Sequence, residues 1–90
     1  MKNPVKLFKD KKVLILGLGI NQGGVGVTKF FSKAGAKVKV TDLKKEAYIT
    51  TSLRELKEFA GVEYTLGEHK FEDIDWADLI IKNPAIKSDN

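Results

Sequence analysis

Between positions 17 and 26 the chain reads Gly-Leu-Gly-Ile-Asn-Gln-Gly-Gly-Val-Gly. Glycine at this density suits the cradling of an anion by backbone amides. The chain can turn sharply there, and a phosphate meets N–H groups with no Cβ in the way. Where a helix follows such a turn, its unpaired N–H donors and partial positive charge add to the attraction. The spacing is not that of the dinucleotide fingerprint, which would place its third glycine at Gln22. The next glycines are Gly23 and Gly24, so the loop is longer. A turn that holds no ligand is the plainer alternative.

Asp42 follows Gly17 by 25 positions. In nucleotide-binding sheets an acid near this point accepts a hydrogen bond from a ribose or base. Capping of the next turn is its structural alternative. Lys44 could pair with a phosphate or simply be solvated. Gly67, at the end of a candidate strand, would face the crevice where such sheets bind ligands. His69 is the sole histidine; with no histidine or cysteine partner it is a poor metal ligand and reads as a surface loop residue. Glu72, Asp73, Asp75 and Asp78 read as turn caps around Ile74 and Trp76 rather than as paired catalytic carboxylates. Trp76 and Phe71 read as core. The chain has no Gly-x-x-x-x-Gly-Lys-Ser/Thr loop, hence no recognisable machinery for hydrolysing a nucleoside triphosphate. No nucleophile, base and orienting acid present themselves together.

These residues need a framework. Lys12 to Gly17 is a short apolar run ending in glycine, which reads as a buried parallel strand. Val27, Phe30, Phe31 and Ala34 fall on one face of a helix that Gly35 ends. Lys37 to Thr41 alternates and makes a second strand, nearer an edge than the first, with Asp42 at its carboxyl end. Ser52 and Glu55 form a capping box that opens a second helix, with Leu53, Leu56, Phe59 and Ala60 inward and Gly61 closing it. Val62 to Leu66 and Asp78 to Lys82 complete the strands, joined by a loop. Lys44 to Thr51 is either a loop or an early start to the second helix. The order predicts an α/β fold, a Rossmann-like parallel sheet of about four strands flanked by helices, with right-handed crossovers.

Composition sets the outer limits. Ninety residues suffice for one domain and not for two. A hydrophobic fraction of 42% and a charged fraction of 31% describe a globular chain rather than a disordered one. The net charge of +4 comes from lysines spread along the whole sequence, which reads as a solvated surface or a mild attraction for a polyanionic small molecule. No basic stripe interleaved with aromatics points to nucleic acid. The absence of cysteine excludes disulfides and thiolate metal sites and fits a reducing interior. No apolar run approaches the roughly 18 residues that a membrane span needs, and the basic start lacks the long apolar stretch of a secretory signal. The expectation is a cytoplasmic monomer that engages neither membrane nor nucleic acid. Asn83 to Asn90 trails off without a final helix, as a piece of a longer chain would.

The segments Val13 to Gly19, Val27 to Phe31, and Gly35 to Lys44 together resemble the start of the Mur ligases, and among them the D-glutamate-adding branch. Gly61 to His69 and Ala77 to Ile86 agree, the last resembling the family's strand followed by Ser-Pro-Gly-Ile, with Asn83 and Ala85 standing for the serine and glycine. The glycine loop is two residues longer than the usual family form. This resemblance covers nearly the whole chain and implies a three-domain cytoplasmic enzyme. Such an enzyme activates a carboxylate with ATP and magnesium as an acyl phosphate, then joins D-glutamate to UDP-N-acetylmuramoyl-L-alanine for peptidoglycan. The first domain, here residues 1–90, would bind the UDP part of that partner without a cofactor of its own and would be inactive alone. Carried over by position, Ile20, Asn21, Gln22, Gly23 and Gly24 would meet the diphosphate, with Gly17 and Gly19 also counted among the substrate-binding residues. Asp42, Leu43 and Lys44 would lie on the uridine side, Gly67 near the uracil, and Asn83 along the crevice. An NAD(P)-binding domain of a dehydrogenase or nucleotide sensor, or a structural fragment without a ligand, are the alternatives.

Overall fold

A computed structural model describes residues 8–18, 23–44, 50–59 and 61–82. The elements run β1 (Lys12–Leu16), α1 (Gly23–Lys33), β2 (Lys37–Asp42), α2 (Thr50–Glu55), β3 (Glu63–Leu66), α3 (Phe71–Trp76) and β4 (Leu79–Lys82). The strands form one sheet in the order β3-β2-β1-β4, with every pairing parallel. The expected α/β fold with a Rossmann-like parallel sheet is therefore what the chain adopts.

The register sets the two faces. Val13 and Ile15 of β1 lie beside Val38 and Val40 of β2, and all four join the core with Leu18, Val25, Phe31, Leu56 and Val62. Helices α1 and α2 cover this face, linked to each other by Lys29 and Glu55 at 3.6 Å. Side chains alternate along a strand, so Leu14, Lys39, Thr41 and Thr65 point to the opposite face. There α3 lies, with Asp73 bonded to Thr65 and Lys39.

Several expectations need correction. Phe31 takes the core position on α1, while Phe30, one residue and about 100° further round, is exposed and stacks edge-on against Phe31 and Phe8. Within the described sheet β2 is an interior strand like β1, and β3 and β4 form the edges. Ser52 does not cap α2; the helix begins at Thr50 and Ser52 is fully buried in it. After Glu55 the chain continues in tight turns, with the Leu56, Lys57, Phe59 and Val62 amides each bonded three residues back, so Gly61 lies well beyond the helix. The segment between β3 and β4, read as a loop, contains α3. Phe71 opens that helix and is 86% exposed, not core. Trp76 is half-buried, with the Lys39 ammonium 4.6 Å from its ring centroid. Ala60 lies outside the described residues.

Candidate functional site at the carboxyl edge of the sheet

Strand order in this sheet reverses at β1: β2 and β3 continue to one side, and β4 returns to the other. Ligands of open parallel sheets bind outside the carboxyl ends of the strands at such a reversal. Gly17 and Leu18 occupy that place. Gly17 has φ 97°, a left-handed conformation that a side chain would strain. The turn it makes carries Leu18 back into the core, where it is fully buried.

Gly24 supports this turn from the helix side. A Cβ there would lie 2.4 Å from the Gly17 carbonyl oxygen and 2.6 Å from the Leu18 Cα. Both are backbone atoms, so only glycine lets α1 start this close to the end of β1. The Gly24 amide donates to the Leu18 carbonyl at 3.0 Å, and its own carbonyl accepts the Thr28 hydroxyl at 2.6 Å. Gly26, by contrast, has open space around its Cα.

Asp42 closes β2 and is 7% exposed. One carboxylate oxygen accepts the Leu18 amide at 2.9 Å and the other accepts the Lys44 amide at 2.9 Å. The turn-capping role is thus present, together with a tether to the glycine turn that no local pattern announces. Gly67, with φ 88°, donates its amide to the Asp42 carbonyl at 2.8 Å and the Lys44 carbonyl at 3.2 Å. Glu68 then bridges Asp42, and His69 Nδ1 stands 2.7 Å from the Thr41 hydroxyl.

The structure therefore brings Gly17, Gly24, Asp42, Leu43, Lys44 and Gly67 to one edge. Leu43 and Lys44 are exposed there. The Gly17 amide donates to the Thr41 carbonyl at 2.7 Å, so this glycine serves the turn by its conformation rather than by offering its N–H. Gly23 opens α1. Gly19, Ile20, Asn21, Gln22 and Asn83 lie outside the described residues; Lys82, just before Asn83, pairs with Leu16 of β1. Sequence reasoning missed Leu18, Thr41 and the placement of His69 on this rim. The contacts that place them span 24 and 28 positions, beyond any local pattern.

The acids of the β3–β4 connection are structural where their bonds are seen. Asp73 ties α3 to the sheet, and the Asp78 carboxylate accepts the Lys12 amide at 3.0 Å. Among the described residues no group of three or more histidine, aspartate or glutamate side chains could hold a metal ion. Nor is any helix among them long and apolar enough to cross a membrane.

Comparison with known proteins shows the family. The family described as Mur ligase MurD-like, N-terminal domain, matches residues 11–90. A UDP-N-acetylmuramoylalanine--D-glutamate ligase of Treponema pallidum is 40% identical over 87 residues, covering 97% of this chain and 16% of the relative. The ligase of the same name from Borreliella afzelii is 41% identical over 84 residues, 92% of this chain and 19% of its own length. That of Clostridioides difficile is 37% identical over 82 residues, with 91% and 18% covered. The chain thus spans less than a fifth of the length of these curated relatives. No solved structure matches it. Sequence, sheet order and turn geometry converge: the chain belongs to the Mur ligase MurD-like N-terminal domain family.

Proposed function

We propose that residues 1–90 form the substrate-holding domain of a ligase that adds D-glutamate to UDP-N-acetylmuramoyl-L-alanine in peptidoglycan synthesis. On this reading the domain grips the UDP end of that molecule and performs no bond chemistry alone. The observation that carries the reading is the Asp42 tether, which fixes the glycine turn of β1 beside the end of β2 at the reversal of strand order. Since the Gly17, Leu18 and Gly24 amides already have protein acceptors, contacts with the diphosphate fall to the amides of Gly19 to Gly23. Asp42, Leu43 and Lys44 face the nucleoside, with Gly67 beside them; Asn83 is a further substrate-binding residue on this reading.

ATP and magnesium, which the reading requires for carboxylate activation, belong to parts of the ligase outside this chain. The sequence has no phosphate-binding loop of the Gly-Lys-Ser/Thr type. The domain acts as a monomer in the cytoplasm, which the cysteine-free sequence fits.

An NAD(P)-binding domain would use the same strand, turn and acid. Gln22 at the third glycine position of the dinucleotide pattern argues for the UDP reading. The test is a titration of isotope-labelled protein with UDP, UDP-N-acetylmuramoyl-L-alanine and NADH, following the amides of Gly19 to Gly26. The two UDP compounds are expected to move these signals and NADH to leave them. Movement with NADH alone would overturn the proposal, and no movement with any compound would point to a fragment without a ligand of its own.

A further inference from the structure

The exit of β3 carries a hydrogen-bond donor that the site described so far does not use. Thr41 is almost fully buried, so its hydroxyl proton needs an acceptor. Its partner is His69 Nδ1, at 2.7 Å. With the hydroxyl as donor to Nδ1, the tautomer that gives its proton an acceptor, the ring proton is on Nε2. His69 itself is exposed, and Nε2 lies on the side of the ring away from Thr41. The backbone just before it is held as well: Glu68 bridges Asp42, and the Gly67 amide binds the Asp42 and Lys44 carbonyls. An oriented N–H donor thus stands on the carboxyl rim, one strand beyond Asp42.

The path of a nucleotide along this rim follows from the strand order. Its diphosphate belongs at the start of α1, above β1, and the acid at the end of β2 belongs with the ribose. Neighbouring strands are about 4.8 Å apart, so the exit of β3 lies about 10 Å from that of β1. That is the reach of a nucleoside, and its base arrives where His69 stands.

We propose that His69 reads the base: its Nε2–H donates to the 4-carbonyl oxygen of uracil. The inference rests on the UDP reading and extends it to specificity. Cytosine carries an amino group in place of that carbonyl, which would set donor against donor. The site should therefore prefer uridine to cytidine nucleotides through this side chain.

Affinities of the full chain for UDP and CDP, measured by calorimetry at neutral pH for the wild type, His69→Ala and His69→Gln, test this. The wild type should prefer UDP. His69→Ala should lose roughly 2- to 10-fold in UDP affinity, the worth of one neutral hydrogen bond, with CDP binding unchanged. His69→Gln, which keeps an N–H donor, should recover part of the preference. In the wild type, UDP should also move the His69 Nε2 resonance, a readout that holds even if a variant fails to fold. A wild type that binds UDP with an unmoved Nε2, or a His69→Ala variant with the full UDP preference, would overturn base reading and leave the UDP site standing. A wild type that binds neither nucleotide would remove both.

Discussion

The Asp42 carboxylate accepts the Leu18 amide hydrogen at 2.9 Å, across 24 positions of sequence. Its second oxygen accepts the Lys44 amide, so one nearly buried side chain ties the glycine turn after β1 to the turn after β2. Both bonds involve a charged acceptor, a class worth about 1.5–3 kcal/mol each. From sequence alone, Asp42→Ala would be expected to weaken uridine binding and leave the fold intact. The tether adds a second consequence. Asp42→Ala should cost about 2–4 kcal/mol of stability, allowing for non-additivity, and Asp42→Asn should fall between it and the wild type. Urea unfolding measures this directly. An unchanged midpoint for Asp42→Ala would show that the turn is held by other means.

Gly24 and Gly26 look alike in the sequence and should behave oppositely. Alanine at position 24 would drive its Cβ into the Gly17 carbonyl and the Leu18 backbone. Neither can rotate away, so Gly24→Ala should destabilise by about 2 kcal/mol or more and shift the amide signals of Gly17 and Leu18. Position 26 is exposed inside α1 with nothing near its Cα. Gly26→Ala should therefore gain about 0.5–1 kcal/mol from helix propensity. Thermal unfolding of the two variants side by side distinguishes these effects, and equal shifts would contradict the close approach at Gly24.

Tyr64 predicts a response to alkali. Partial burial on β3, where Tyr64 keeps 37% exposure, pushes its phenol above the ordinary value of 10.0, since phenolate is the form that desolvation disfavours. The folded protein thus holds this proton more tightly than the unfolded chain. The resulting stability is complete below the unfolded value of 10.0 and is lost as pH rises through it toward the higher folded value. Tyr64→Phe has no such proton to lose. Its unfolding midpoint should fall less steeply than that of the wild type between about pH 9 and about pH 11. Parallel curves would show that Tyr64 is not desolvated.

Local pattern carried much of the architecture. The apolar run of β1, the Val27 and Phe31 positions of α1 and the alternation of β2 each lie within one element, where periodicity records burial, although the same stripe also counted Phe30, which is exposed. What pattern could not reach was decided between elements. Ser52 carries the residue type of a cap yet is buried inside α2, a placement that local residue preference does not record. The six residues of α3 are too few for a periodic signal, and its most apolar residue, Phe71, faces outward. At the site, composition exposed the glycine loop and Asp42. It could not pair Asp42 with Leu18 or Thr41 with His69, since those contacts exist only once β1, β2 and β3 lie side by side.

The attachment of α3 gives the last prediction. This helix is too short to persist by itself, and of its large apolar residues Phe71 and Ile74 are exposed while Trp76 is half-buried. Its polar anchor is Asp73, 3% exposed, which accepts the Thr65 hydroxyl at 2.9 Å and the Lys39 ammonium at 3.3 Å. The same ammonium lies over Trp76 and 3.9 Å from Glu63. Asp73→Ala would strand the Thr65 hydroxyl without its acceptor and leave Lys39 only the solvated Glu63 carboxylate. Breaking a fully buried ion pair costs about 3–5 kcal/mol. The Lys39 side chain retains 23% exposure and can be hydrated in part, so the expected loss is about 2–3 kcal/mol. The damage should also be local. Amide exchange from Asp73 to Ala77 should accelerate well beyond that of Val13 to Ile15, whereas Asp73→Asn, still an acceptor for Thr65, should slow it again. Uniform acceleration across both segments would mean that α3 and the sheet unfold as one unit, and that Asp73 stabilises the whole domain rather than fastening one helix to it.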